Sequence, residues 1–188
     1  MFVFNWLANL VKPRKQISVL FLGLDNSGKT SLIHFLKTDK VAQQQPTMHP
    51  SVEEIMISGT NYKCYDLCSG ELTPWKSWTS WASAVNAVAF VIDTTEPSRF
   101  TEAKKYLLKI MSSDEMKGKT ILILGNKIDK PDAISKDELR TILDLPENDT
   151  LATKTDSKPR FELFMCSLKK KETILQAFEW LSETIYPR

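Results

Sequence analysis

The segment Gly23-Leu-Asp-Asn-Ser-Gly-Lys-Thr30 constrains this chain more than any other. It directly follows Ile17-Ser-Val-Leu-Phe-Leu22, a short apolar run that reads as a buried strand. It also opens a helical pattern carried by Leu32, Ile33 and Leu36. A glycine-rich turn between a strand and a helix lines up backbone amides at the positive end of the helix dipole, where phosphate oxygens are held. In the pattern G-x-x-x-x-G-K-[ST] the lysine, here Lys29, neutralises the β- and γ-phosphates. The hydroxyl, here of Thr30, ligates Mg²⁺. A tight turn that binds nothing is the competing reading, and the strand–loop–helix context weighs against it.

The rest of the chain supplies a sheet for that turn. Val52, Ile55 and Ile57, then Tyr62, Cys64 and Tyr65, flank Ser58-Gly-Thr-Asn61 as a hairpin. Ala87–Ile92 and Thr120–Leu124 are continuous apolar runs, and Phe161–Met165 reads as a last short strand. Phe100–Met111 and Thr173–Ile185 are amphipathic helices. Six strands alternating with helices predict an α/β fold, a mostly parallel sheet with helices on both faces. The polar stretch from Pro146 to Pro159 is a surface loop, so residues 16–188 form one domain. With 188 residues a core needs no metal or disulfide staple.

Charge and cysteines exclude other classes. Twenty-five Lys and Arg against 23 Asp and Glu leave a net charge of +2, too little for strong non-specific attraction to nucleic acid. Cys64, Cys68 and Cys166 are an odd set with no second Cys/His pair to complete a metal site, which fits a reducing cytosolic setting. No run is long and apolar enough to span a membrane. Lys136-Asp-Glu-Leu139 spells a retrieval signal but lies inside the chain.

Asn126-Lys-Ile-Asp129 follows the fifth apolar strand and names the base. An aspartate accepts two hydrogen bonds from the N1 and N2 donors of guanine, a pair adenine does not offer. That preference disfavours an ATP-using kinase or ATPase on the same loop. Asn126 can tie this loop to the phosphate loop, and the Lys127 stem can cover the base. Backbone amides of Cys166-Ser-Leu168 would meet the guanine oxygen. Cys166 by itself reads as a buried small hydrophobe.

These motifs, with Pro46-Thr-Met-His-Pro50, Asp66-Leu67 and Phe164-Met-Cys-Ser167, resemble the Arf/Sar small GTPases over roughly the whole chain, and within them the Sar (secretion-associated, Ras-related) branch. Asp25 in the phosphate loop is similar to the Arf/Sar group. Phe2 stands where Arf proteins carry the glycine that is myristoylated. The resemblance implies a small-GTPase fold and a GTP phosphohydrolase that switches between GTP and GDP with Mg²⁺. It implies nucleotide contacts at Asp25, Asn26, Ser27, Gly28, Lys29, Thr30 and Ser31, at Asn126, Lys127 and Asp129, and at Ser167 and Leu168. It implies metal contacts at Thr30, Thr47 and Asp66, with Asp25 nearby; Thr47 joins in the GTP form. It implies recruitment of inner COPII coat subunits, activation by a membrane-bound guanine nucleotide exchange factor, and work on the cytosolic face of the endoplasmic reticulum and Golgi.

Two segments complete the reading. As a helix, residues 2–12 put Phe2, Val3, Trp6, Leu7 and Leu10 on one stripe, followed by Lys12, Arg14 and Lys15. Residues 1–15 then form a membrane arm, or the same face packs into a groove of its own domain. The second switch departs from the family pattern Asp-Leu-Gly-Gly-His/Gln. It reads Asp66-Leu-Cys-Ser-Gly-Glu71, so Gly70 or Glu71 takes the water-orienting place and no catalytic residue is assigned. A glycine cannot hold water, and a carboxylate repels the phosphate charge. A GTP-binding interaction module with impaired hydrolysis is therefore the alternative. Trp75, Trp78 and Trp81 recur every three residues and line either the core or a partner surface.

Overall fold

The structure, a computed structural model, describes residues 15–41, 49–67, 73–146 and 159–187. Six strands form one sheet: β1 (Gln16–Leu22), β2 (Ser51–Ile57), β3 (Thr60–Asp66), β4 (Ala87–Asp93), β5 (Thr120–Asn126) and β6 (Arg160–Met165). Their order is β2-β3-β1-β4-β5-β6, and every neighbouring pair is parallel except β2 with β3. The α-helices among the described residues are α1 (Lys29–Thr38), α2 (Thr73–Ala82), α3 (Phe100–Met111), α4 (Lys136–Ile142) and α5 (Lys171–Ile185).

The continuous apolar runs are central strands because both faces of the sheet are covered. Successive side chains alternate between two cores. Leu20 and Leu22, Val88 and Phe90, Ile121 and Ile123 face α2, α3 and α4. Val19 and Phe21, Ala87 and Ala89, Leu122 and Leu124 face α1 and α5. Phe100, Ala103, Leu107 and Ile110 form the buried stripe of α3, and Ile174, Ala177, Phe178 and Leu181 that of α5.

The hairpin turn is narrower than Ser58–Asn61. Only Ser58 (φ 47°) and Gly59 (φ 82°) form it, since Thr60 already pairs with Ile57. Two left-handed residues match the right-handed twist of the strands they join. Helix α4 was not expected from periodicity. It is seven residues long and starts at a capping box, in which Glu138 N–H donates to Ser135 Oγ (3.3 Å) and Ser135 N–H to Glu138 Oε2 (2.8 Å). The Ser-x-x-Glu spacing was the available signal, and Lys136–Leu139 forms most of this short helix.

Trp78 is buried in α2, and Trp81 packs at the core margin with its ring 5.8 Å from Tyr65. Core packing is thus the role of these two; the Trp75 side chain lies outside the described structure. Cys64 and Cys166 are buried free thiols, each pushed up to about 12 by burial. Cys68, the arm (residues 1–14), the second-switch residues Gly70 and Glu71, and the Pro146–Pro159 loop beyond its ends lie outside the described residues. None of the described helices is long and apolar enough to cross a membrane.

Candidate functional site

The described candidate residues gather at the carboxyl ends of the parallel strands, where open α/β sheets bind ligands. The phosphate loop leaves β1 and turns into α1. Its two glycines are both required by backbone and space. At Gly23 (φ 140°) a Cβ would lie 2.2 Å from the Val91 carbonyl oxygen, and at Gly28 (φ 98°) one would lie 2.4 Å from Asn126 Nδ2. Asn26 also takes a left-handed conformation (φ 59°), one that asparagine tolerates. Ser31 is half-buried in the first turn of α1.

Lys29 folds back across this loop. Its Nζ donates to the carbonyls of Gly23 (3.0 Å) and Leu24 (2.7 Å), and the side chain is buried. Burial brings its ammonium down to about 8, while the negative charge of Asp66 pulls the other way. A desolvated cation of this kind gains strongly from an arriving anion. Beside it, Thr30 Oγ1 donates to Asp66 Oδ2 at 2.7 Å, joining the start of α1 to the end of β3.

The base loop leaves β5. Asn126, buried, donates from Nδ2 to the Ser27 carbonyl at 2.9 Å, which is the expected tie between the two loops. Its Oδ1 lies 3.9 Å from the Cys166 thiol. Ser167 Oγ donates to Asp129 Oδ1 at 2.6 Å, and Lys169 Nζ lies 3.0 Å from Asp129 Oδ2. The Ser167 hydroxyl above all, with help from Lys169, holds the Asp129 carboxyl below the usual carboxylate range. Both groups stabilise the ionised form that accepts hydrogen bonds. Ser167 N–H donates to Thr173 Oγ1 (3.3 Å), and Leu168 is half-buried against the α1/α5 core.

Three features escaped sequence reasoning. Lys127, expected to cover a base, pairs its Nζ with Asp93 Oδ2 at the end of β4. Lys169 joins Asp129; the run Lys169–Lys171 by itself suggests a solvated face or a guanine or lipid contact, and not this ion pair. Asp25, expected near the metal, is exposed and paired with Arg99, whose Nη2 lies 2.5 Å from Asp25 Oδ1. No motif spacing connects these pairs; they meet because the ends of β1 and β4, of β4 and β5, and of β5 and β6 lie side by side. Thr47 lies outside the described residues. His49 is exposed, and His34 is half-buried on α1.

Sheet order, phosphate loop and base loop together define a small GTPase. The family model for the ADP-ribosylation factor family matches residues 3–185, and the chain belongs to that family. Among curated relatives, "Small COPII coat GTPase SAR1" of Nicotiana tabacum is 33% identical over 98% of this chain and 100% of its own length. "ADP-ribosylation factor-like protein 8b" of Arabidopsis thaliana is 29% identical over 94% of this chain and 91% of its own. A solved structure of the Arl6 BBS3 small GTPase from Trypanosoma brucei, with bound nucleotide analogue GppNp, superposes with a TM-score of 0.74. It is 25% identical and covers 91% of this chain and 98% of its own.

Proposed function

We propose that this chain is a Sar-type switch that binds GTP and GDP with Mg²⁺ and, in its GTP form, recruits inner COPII coat subunits to the endoplasmic reticulum membrane for transport to the Golgi. The observation that carries the nucleotide reading is the bond from Asn126 to the Ser27 carbonyl, which sets the base loop against the phosphate loop. Amides of residues 25–31 hold the phosphates, and Lys29 meets the β- and γ-phosphates with an ammonium that burial leaves poorly compensated. Asp129 accepts from guanine N1 and N2, held ionised and oriented by Ser167 and Lys169. The Ser167 and Leu168 backbone lies beside it.

Thr30 and Asp66 fit Mg²⁺, because a hydroxyl and a carboxylate 2.7 Å apart are hard oxygen donors of the kind that cation takes alongside phosphate oxygens. When bound, the ion neutralises charge between the phosphates. Thr47 would join them when the first switch closes over the γ-phosphate. The Sar assignment rests on the 33% identical relative and on the Pro-Thr-x-His-Pro and Phe-Met-Cys-Ser motifs. Residues 1–15 are its membrane arm and residues 16–188 its nucleotide domain, loaded by a membrane-bound exchange factor. A second reading, a GTP-binding interaction module that scarcely hydrolyses, is favoured by Asp66-Leu-Cys-Ser-Gly-Glu71.

Competition of GTP, ATP and XTP against labelled GDP tests the nucleotide reading. GTP should win, and Asp129→Asn should shift preference to XTP, because an amide places a donor where the carboxylate accepted. Unchanged GTP affinity in that variant would overturn the base site. Liposome flotation with and without residues 1–11 tests the arm; binding that persists without them would place the membrane contact elsewhere.

A further inference from the structure

The tip of the phosphate loop is clamped from outside. Arg99, the residue before α3, donates from Nη1 to the Asp25 carbonyl at 3.1 Å and pairs through Nη2 with Asp25 Oδ1 at 2.5 Å. The same Nη2 lies 3.5 Å from Glu102 Oε2, so Arg99 is itself held by the first turn of α3. Asn26, next along the loop, donates from Nδ2 to Glu96 Oε1 at 3.5 Å. Backbone and side chain of one loop residue are thus fixed by one guanidinium, a planar fork whose donors suit such a two-point grip.

Asp25 is the acidic residue of a loop that otherwise offers amides and an ammonium to anions. Its carboxylate acts on Lys29 through space, as does Arg99 with the opposite sign. Besides Asp66, this carboxylate is therefore a negative group that shares the field of Lys29 with an arriving phosphate. Arg99 bears on that balance, because it pairs with the Asp25 carboxylate and compensates its charge. The cation Lys127 is committed to Asp93, and Lys29 is held by loop carbonyls, so among the described residues Arg99 is the cation that meets Asp25.

We propose that Arg99 is a positioning residue that holds Asp25 away from the phosphate site and thereby sets the preference for nucleoside triphosphate over diphosphate. The inference rests on the guanine-nucleotide reading above. A terminal phosphate adds negative charge to the loop, so an uncompensated Asp25 carboxylate weakens the triphosphate more than the diphosphate. A purely structural role would instead loosen both nucleotides alike.

The test is titration of full-length protein with fluorescent GDP and a fluorescent non-hydrolysable GTP analogue, in Mg²⁺, for wild type, Arg99→Ala, Arg99→Lys, Asp25→Asn and the double variant Asp25→Asn/Arg99→Ala. Arg99→Ala should weaken the triphosphate about tenfold more than the diphosphate, a shift of about 1.4 kcal/mol. Arg99→Lys should recover part of that shift. In the Asp25→Asn background Arg99→Ala should change the ratio by less than about threefold relative to Asp25→Asn alone, since the charge to be compensated is then gone. Asp25→Asn alone is the reference for the double variant, and Arg99→Lys, which replaces the two-point fork by a single ammonium, should still shift the ratio from wild type, so the proposal stays testable if Arg99→Ala does not fold. Equal weakening of both nucleotides by Arg99→Ala, or an Arg99→Ala shift as large in the Asp25→Asn background as in wild type, would overturn the proposal. Failure of wild type to bind either nucleotide would overturn the nucleotide reading with it, whereas wild-type binding with an unmoved ratio sinks this inference alone.

Discussion

Replacing Gly28 by alanine tests whether the two loops form one site. The added Cβ would stand 2.4 Å from Asn126 Nδ2, the atom that donates to the Ser27 carbonyl. Two costs follow. Gly28 has φ 98°, and a left-handed backbone costs an L-residue roughly 1–2 kcal/mol. Asn126 must then move, losing a buried hydrogen bond and leaving buried polar groups without their partner, at roughly 1–3 kcal/mol. Gly59→Ala separates the two, because Gly59 has φ 82° but nothing within 4 Å of the added Cβ. Urea unfolding of nucleotide-free protein should show Gly28→Ala costing about 1–3 kcal/mol more than Gly59→Ala. Fluorescent GDP titration should show Gly28→Ala weakening affinity by at least about tenfold, with Gly59→Ala near wild type. In an Asn126→Ala background the excess cost of Gly28→Ala should shrink, since the group it strikes is absent. Equal destabilisation by the two glycine variants, or full GDP affinity in Gly28→Ala, would refute the coupling.

Lys29 gives a pH signature. Its ordinary value of 10.5 falls to about 8 on burial, so between these pH values the unfolded chain holds a proton that the folded chain has released. Stability must then rise with pH across that window, by up to roughly 3 kcal/mol. Urea midpoints from pH 7.5 to 9.5 should rise for wild type relative to Lys29→Met, while affinity for GDP falls above pH 8 because the phosphates need the ammonium. Tyr62→Phe should cost about 1–2 kcal/mol in the same unfolding assay. It removes a buried 2.6 Å bond to the Phe178 carbonyl but keeps the edge-to-face ring contact at 5.2 Å, and no loss would refute that assignment. Single-turnover GTP hydrolysis should be slow, and Glu71→His should raise it more than Glu71→Ala, since an imidazole holds water without adding negative charge. Wild-type turnover at the rate of family members with the usual switch would refute this.

The architecture and the chemistry of the two loops were legible in the residues alone. Apolar runs such as Ala87–Ile92 have no polar face, so they must be central strands, and β4 is buried along its whole length. Gly23–Thr30 and Asn126–Asp129 carry their meaning in spacing and residue type, because amides, an ammonium and a carboxylate act wherever the strand ends place them. The tie from Asn126 to the phosphate loop was legible for the same reason. Helix α4 was missed, because its signal is the local Ser135/Glu138 capping box and seven residues carry no long periodicity. Tertiary structure alone decided which charges meet. Arg99 reaches Asp25, Lys127 reaches Asp93 and Lys169 reaches Asp129 because strands distant in sequence end side by side. An ion pair depends on distances of a few ångströms between freely rotating side chains, and no periodicity encodes that. Core or surface for Trp78 and Trp81 was likewise settled by packing: a spacing of three defines a face but not what covers it, and for Trp78 it is the core beneath the sheet.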